Sequence, residues 1–172
     1  MAKNILAAAF ATDWGGVEIA WDNEGLCRLE LPDPALNVPA YKLPKFAQTV
    51  ADQVIAYLAG DSKAFDLPLN LNGIKGFRLD VYNKLLTIPY GTVISYGELA
   101  GLAGSPRAAR AAGTAMAVNP LPLIIACHRV IGSTGHLQGF GGSLDLKQRL
   151  LELEGVEVNK NRKVDWNHFR YS

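Results

Sequence analysis

Ser95-Tyr96-Gly97-Glu98-Leu99-Ala100-Gly101-Leu102-Ala103-Gly104-Ser105-Pro106 contains two helix starts in quick succession. Ser95 and Glu98 stand at the spacing of a capping box. The serine hydroxyl can accept from the third helical N–H, while the glutamate reaches back to the serine N–H. Gly101 and Gly104 keep that helix short. Ser105-Pro106 then repeats the logic, with Ser as N-cap and Pro at the first helical position. Two short capped helices joined by a glycine-containing turn predict a helix-turn-helix.

The second helix, Pro106 to about Val118, carries Ala108, Ala109, Ala111, Ala112, Gly113, Ala115 and Ala117, with Arg107 and Arg110 projecting. Side chains this small bury little apolar area, but they let a helix backbone approach another surface closely. Arginine adds charge attraction and bidentate hydrogen bonding. The competing reading is an ordinary alanine-rich core helix. Beyond it, Asn119-Pro-Leu-Pro-Leu-Ile-Ile-Ala-Cys-His-Arg-Val130 is an apolar run expected to pack as a buried strand and to end in a thiol, an imidazole and a guanidinium. A neighbouring His or Arg can lower a thiol pKa from about 8.5 toward neutrality, and the thiolate is the nucleophile. A lone cysteine in such a run can equally be small, buried and inert. Gly132 to Gly135 is a turn, and Gly139-Phe140-Gly141-Gly142 a flexible loop. Ser143 should cap a last helix with Leu146, Leu150 and Leu153 inward, ending at Glu154-Gly155. The tail to Ser172 is polar and basic, yet Trp166 and Phe169 should dock part of it.

Upstream, Phe77 to Leu86 predicts a helix with Phe77, Val81, Leu85 and Leu86 inward. Asn70 to Gly73 marks a boundary, giving an α/β unit over 1–73 and a mostly helical unit over 74–172. In the first, Ile5 to Ala11, Val17 to Trp21 and Leu26 to Leu31 are β-prone runs separated by turn signals. A proline-rich loop follows. Phe46, Val50, Val54 and Leu58 then recur every four residues along a helix from Lys45 to Ala59, stopped by Gly60. Cys27 falls in a strand and is read as structural.

The 172 residues suffice for one ordinary domain or two small ones, and no stretch is long enough for a membrane span. The start from Met1 to Ala11 resembles a leader only superficially, because its apolar run is very short. Two cysteines exclude a disulfide framework and suit a reducing intracellular compartment, cytoplasmic or, in a eukaryote, nuclear. Three histidines and two distant cysteines give no paired ligand spacing, so no metal site is expected. The net charge of +1 hides an asymmetry. Residues 1–72 balance to −4 and residues 73–172 to +5. A basic C-terminal half points weakly to phosphate.

Taken together, Ile88-Pro89-Tyr90-Gly91, Ser95 to Ala100, Ala109 to Gly113, Asn119-Pro120, Cys127 to Val130, Gly141-Gly142 and Lys147 to Gly155 resemble the O6-alkylguanine-DNA alkyltransferases. The likeness is dense from about Phe77 to Gly155 and only outline upstream. It implies a ribonuclease-H-like N-terminal domain and a winged-helix DNA-binding domain. It also implies single-turnover transfer of the O6-alkyl group of guanine to Cys127, without a cofactor. His128 would act on the thiol through a water, and Glu154 would orient the imidazole and stabilise its charged form. Asn119 would brace the turn before the active-site loop. The base must be extruded from the stack. Arg110 would fill the vacated place, while Tyr96 would rotate the phosphate and donate a proton toward guanine N3. Ala109, Ala111, Gly113 and Ala115 would lie in the minor groove, which reads little sequence. Val130, Phe140, Gly141 and Gly142 would line the base pocket. The expected partner is duplex DNA, bound by a monomer acting alone or cooperatively along a strand.

Three positions depart from the family's pattern. Ala126 replaces the usual Pro before the cysteine, which frees the unfolded chain by about 0.4 to 1 kcal/mol and should loosen the loop and slow or alter alkylation. Arg78 stands for the common Gln and Tyr82 for the common Trp, both expected to concern packing or surface. Three rival readings share parts of the pattern: a damage-binding protein of this fold that transfers nothing, a winged-helix regulator with a redox cysteine, and a cysteine hydrolase.

Overall fold

The computed structural model describes residues 4–172. The leader-like opening at Met1-Ala2-Lys3 lies outside the described residues. The chain divides into two compact units, Met1–Leu71 and Asn72–Ser172.

In the first unit, β1 (Leu6–Thr12), β2 (Gly15–Asp22) and β3 (Gly25–Leu29) form an antiparallel meander in the order β1-β2-β3. Phe10 pairs with Val17, and a bulge at Ala20/Trp21 shifts the second pairing. Helix α1 (Lys45–Ala59) buries Val50, Val54 and Leu58, and Gly60 ends it at φ 82°, as the four-residue spacing predicts. The Phe46 ring meets Trp21 at 5.7 Å. Cys27 is half-buried in β3, and its thiol donates to the Ala20 carbonyl at 3.3 Å.

In the second unit, α2 (Phe77–Leu85) buries Val81, Tyr82 and Leu85. Leu86, expected inward, is exposed just past the helix end. A two-residue parallel pair, β4 (Ile94–Ser95) with β5 (Val130–Ile131), is the hinge of the architecture. It sets the start of α3 (Tyr96–Leu102) beside the single 3-10 turn Cys127–Arg129, which runs directly into β5. The capping box is present as read: Ser95 Oγ accepts from Glu98 N, and the Glu98 carboxylate accepts from Ser95 N at 3.0 Å.

Helix α4 spans Ala109–Ala117, starting later than expected. Ser105 does not cap it. Instead Ala108 N donates to Ser105 O at 2.9 Å, so Pro106 occupies the second position of a turn, which its fixed φ also suits. Residues 121–126 are buried as expected but form no strand. Pro120 and Pro122 remove backbone donors, Leu123 adopts φ 72°, and turns replace the ladder. Helix α5 (Leu144–Leu153) is capped by Ser143, whose hydroxyl accepts from Leu146 N at 3.1 Å. Its buried stripe is Lys147, Leu150 and Leu151; Leu146 and Leu153 lie at the margin. The tail ends in α6 (Trp166–Phe169), and both aromatics pack on a cluster containing Val93, Ile131, Leu137 and Leu151.

Candidate active site

Cys127 is delivered by two local devices. Asn119 spans the preceding loop, its amide donating to Ile125 O at 2.7 Å and its oxygen accepting from Leu121 N at 3.0 Å. Ala126, at φ −71° and ψ 65°, is the centre of an inverse γ-turn closed by Cys127 N to Ile125 O at 2.7 Å. The thiol arrives 4% exposed. Burial pushes its pKa up, opposed by the Asn119 side chain, the Lys147 charge and nearby backbone N–H groups.

His128 is fully buried, with Nε2 2.6 Å from Glu154 Oε1. Glu154 does more than orient that ring. Arg129 clasps the same carboxylate, Nε to Oε2 at 2.9 Å and Nη2 to Oε1 at 2.9 Å, and Gly91 N donates to Oε2 at 2.9 Å. Burial would raise the Glu154 pKa, but the His128 and Arg129 contacts outweigh it and hold the carboxyl at about 2. Arg129 also donates from Nη1 to Ile88 O at 2.5 Å.

Two expectations change here. Arg129, read as a group that could favour the thiolate, is committed to Glu154. Nor is the charged form of His128 favoured. Burial lowers its pKa, and the Glu154 carboxylate does not overcome this because Arg129 and Lys147 add positive charge. The ring is therefore fixed by Glu154 and held toward its neutral form.

The cation that reaches the thiol is Lys147, which the sequence reading left without a role. It is fully buried on α5, donating from Nζ to Val130 O and Gln138 O at 2.6 Å each. Burial lowers its pKa to about 8, with the Cys127 charge pulling the other way. Its spacing to Leu150 and Leu151 on α5 places it on the buried face.

Tyr96 donates its hydroxyl to Gln138 O at 2.9 Å and Gly139 O at 2.8 Å, and burial, then Cys127, raises its pKa to about 12. Lys147 Nζ lies 5.9 Å from the Tyr96 ring centre and 5.7 Å from that of Phe140. Val130, Tyr96, Phe140 and the 138–139 backbone thus meet around one ammonium. Gly139 sits at φ 41°, a conformation that favours glycine. Gly141 is exposed and Gly142 half-buried.

On α4, Arg110 and Ala111 are exposed, and Ala109 and Gly113 are half-buried. Ala115 belongs to the core instead of the expected outer face. It is 3% exposed, and its carbonyl accepts from Tyr82 Oη at 2.7 Å. Tyr82 therefore ties α2 to α4. Burial raises its phenol to about 12, with a further contribution from Cys127, so this position is within electrostatic reach of the thiol.

Residues 76–156 match the family model described as 6-O-methylguanine DNA methyltransferase, DNA binding domain. A methylated-DNA–protein-cysteine methyltransferase of Methanosarcina acetivorans is 39% identical over 86% of this chain and 97% of its own length. One of Mycobacterium tuberculosis is 52% identical over 60% of this chain, and the match spans 62% of that relative's length. A solved structure of Mycobacterium tuberculosis OGT in complex with DNA superposes with TM-score 0.74 at 38% identity, covering 86% of this chain and 91% of the other.

Proposed function

The chain belongs to the methylated-DNA–protein-cysteine methyltransferases, and we propose that it repairs O6-alkylguanine in duplex DNA by taking the alkyl group permanently onto Cys127. The observation that carries this reading is a buried thiol one residue from an imidazole held 2.6 Å from a carboxylate that is itself clamped by arginine.

The thiol proton passes to His128 through a water, Nε2 being engaged by Glu154. The sulfur then attacks the alkyl carbon, an S–C bond forms and the C–O6 bond breaks. The electron pair returns to the guanine ring, and Tyr96 supplies a proton toward N3. No thiol on the chain removes the alkyl group, so each molecule acts once.

A thiol 4% exposed admits a purine only when a neighbouring segment yields. The loop 139–142 is that segment in our reading, because its ties to Tyr96 and Lys147 are a few hydrogen bonds and three of its four residues are glycine. Arg110 enters the stack as the base leaves, and the exposed small residues of α4 face the minor groove with weak sequence preference. On this reading the first unit is the ribonuclease-H-like domain, the second the winged-helix domain, and the protein works as a monomer inside the cell.

Incubation with duplex DNA carrying O6-methylguanine should add one methyl to the intact mass of the protein, mapped to Cys127. Cys127→Ser should bind the duplex and gain no mass. Unaltered mass in the parent chain would instead favour a damage-binding protein that transfers nothing.

A further inference from the structure

The tail beyond residue 156 lies outside the span matched by the family model, yet it grips the site twice. Its first hold is on the base of the 138–142 loop. Leu137 N donates to Arg162 O and Val164 N to Gly135 O, both at 2.9 Å. Its second is on the start of α3. Val93 N donates to Phe169 O and Tyr171 N to Val93 O, both at 2.8 Å, immediately before β4.

Arg170 extends the second hold. Its Nε donates to Glu98 Oε1 at 2.7 Å, and Nη2 contacts the same oxygen. The other carboxylate oxygen, Oε2, accepts from Ser95 N at 3.0 Å and Ser95 Oγ at 2.7 Å. One glutamate thus closes the cap of α3 with one oxygen and is anchored to the tail by the other. Burial would raise its pKa, but the Ser95 hydrogen bonds and Arg170 outweigh it and keep the carboxylate ionised. The Arg170 guanidinium is backed by the Trp166 ring at 5.4 Å, and Trp166 is packed on the core.

Tyr96 is the first residue of that capped helix, and its hydroxyl sits on Gln138 O and Gly139 O. The two partners of this contact are the two things the tail holds. We propose that Arg170 is a positioning residue, which through Glu98 and Ser95 fixes Tyr96 against the 138–139 backbone and so sets its aim at the extruded nucleotide. This rests on the role given to Tyr96 above.

The experiment is a double-mutant cycle on the rate of methyl transfer from duplex DNA, at a temperature well below the Tm of every variant. Arg170→Gln should slow transfer about three- to fivefold, within what a half-exposed ion pair can supply. Arg170→Lys should restore most of it, and Arg170→Met takes the place of the glutamine variant if that one folds poorly. In a Tyr96→Phe background the Arg170 change should cost nothing further. An undiminished Arg170 effect in that background would overturn the proposal, since a tail that merely stabilises the fold acts independently of the phenol. If Tyr96→Phe alone leaves the rate unaltered, the role of Tyr96 fails first and the proposal with it.

Discussion

Lys147 shows how one side chain can serve charge and architecture together. Its ammonium holds the end of β5 and the 138–139 backbone while lending positive potential to the thiol. Transfer needs thiolate, so removing that potential should raise the thiol pKa. We expect Lys147→Met to move the midpoint of the pH–rate profile up by about one unit and to slow transfer at pH 7 by about tenfold. An unmoved midpoint would show that the lysine only ties the loop. Ala126 calls for the opposite kind of change. Its φ of −71° lies within the range a pyrrolidine ring imposes, so the inverse γ-turn persists without proline. Ala126→Pro should raise stability by about 0.4 to 1 kcal/mol in a denaturant titration, acting through the unfolded chain. Cys127, His128 and Glu154 were readable because their types stand at family spacing. Lys147 and Arg129 were not, because whether a long cation is buried depends on carbonyls and carboxylates distant in sequence.

At the scale of elements, α4 is where the proposed duplex contact can be told apart from the needs of packing. A Cβ on Gly113 would meet the Tyr96 ring at 3.9 Å, an ordinary contact, so packing does not demand glycine there. A helix interior favours alanine over glycine by about 0.5 to 1 kcal/mol. Gly113→Ala should therefore raise Tm by a few degrees while weakening duplex binding, measured by fluorescence anisotropy. Equal or tighter binding would remove α4 from the interface. Capping explains which elements the sequence announced. Ser95 and Ser143 cap as read, because their hydroxyls face nearby N–H groups in the same segment. Ser105-Pro106 misled because that pair also suits a turn. The run at 121–126 misled because apolar character reports burial and not backbone shape; two prolines and Leu123 at φ 72° decide the shape.

For the molecule as a whole, the Glu154 cluster should govern acid stability. The native carboxyl titrates near pH 2, and in the unfolded chain it returns to about 4.5. Its contribution is fully present above about pH 4.5 and is lost as pH falls toward 2. His128, held neutral by burial, adds a loss of the same sign as pH drops below about 6.5. Glu154→Gln leaves the Arg129 guanidinium without its counter-charge and should cost about 3 to 5 kcal/mol at pH 7. It should also flatten the decline between pH 4.5 and 2 in urea titrations. A parallel decline in parent and variant would place the acid-sensitive group elsewhere. The meander and α1 followed closely from periodicity and turn signals. Of the three-residue clasp on Glu154 only the His128 arm was legible, because Gly91 and Arg129 join it across the second unit.

The seclusion of Cys127 has a consequence for the single use proposed for its sulfur. Small oxidants and soluble electrophiles meet a protonated sulfur behind closed walls, while Cys27, half-buried on the first unit, stands as the more available target. Under the proposed function, stray chemistry is thereby diverted from the sulfur that a lesion would consume. The stock of working molecules would then decline with lesions repaired and not merely with time.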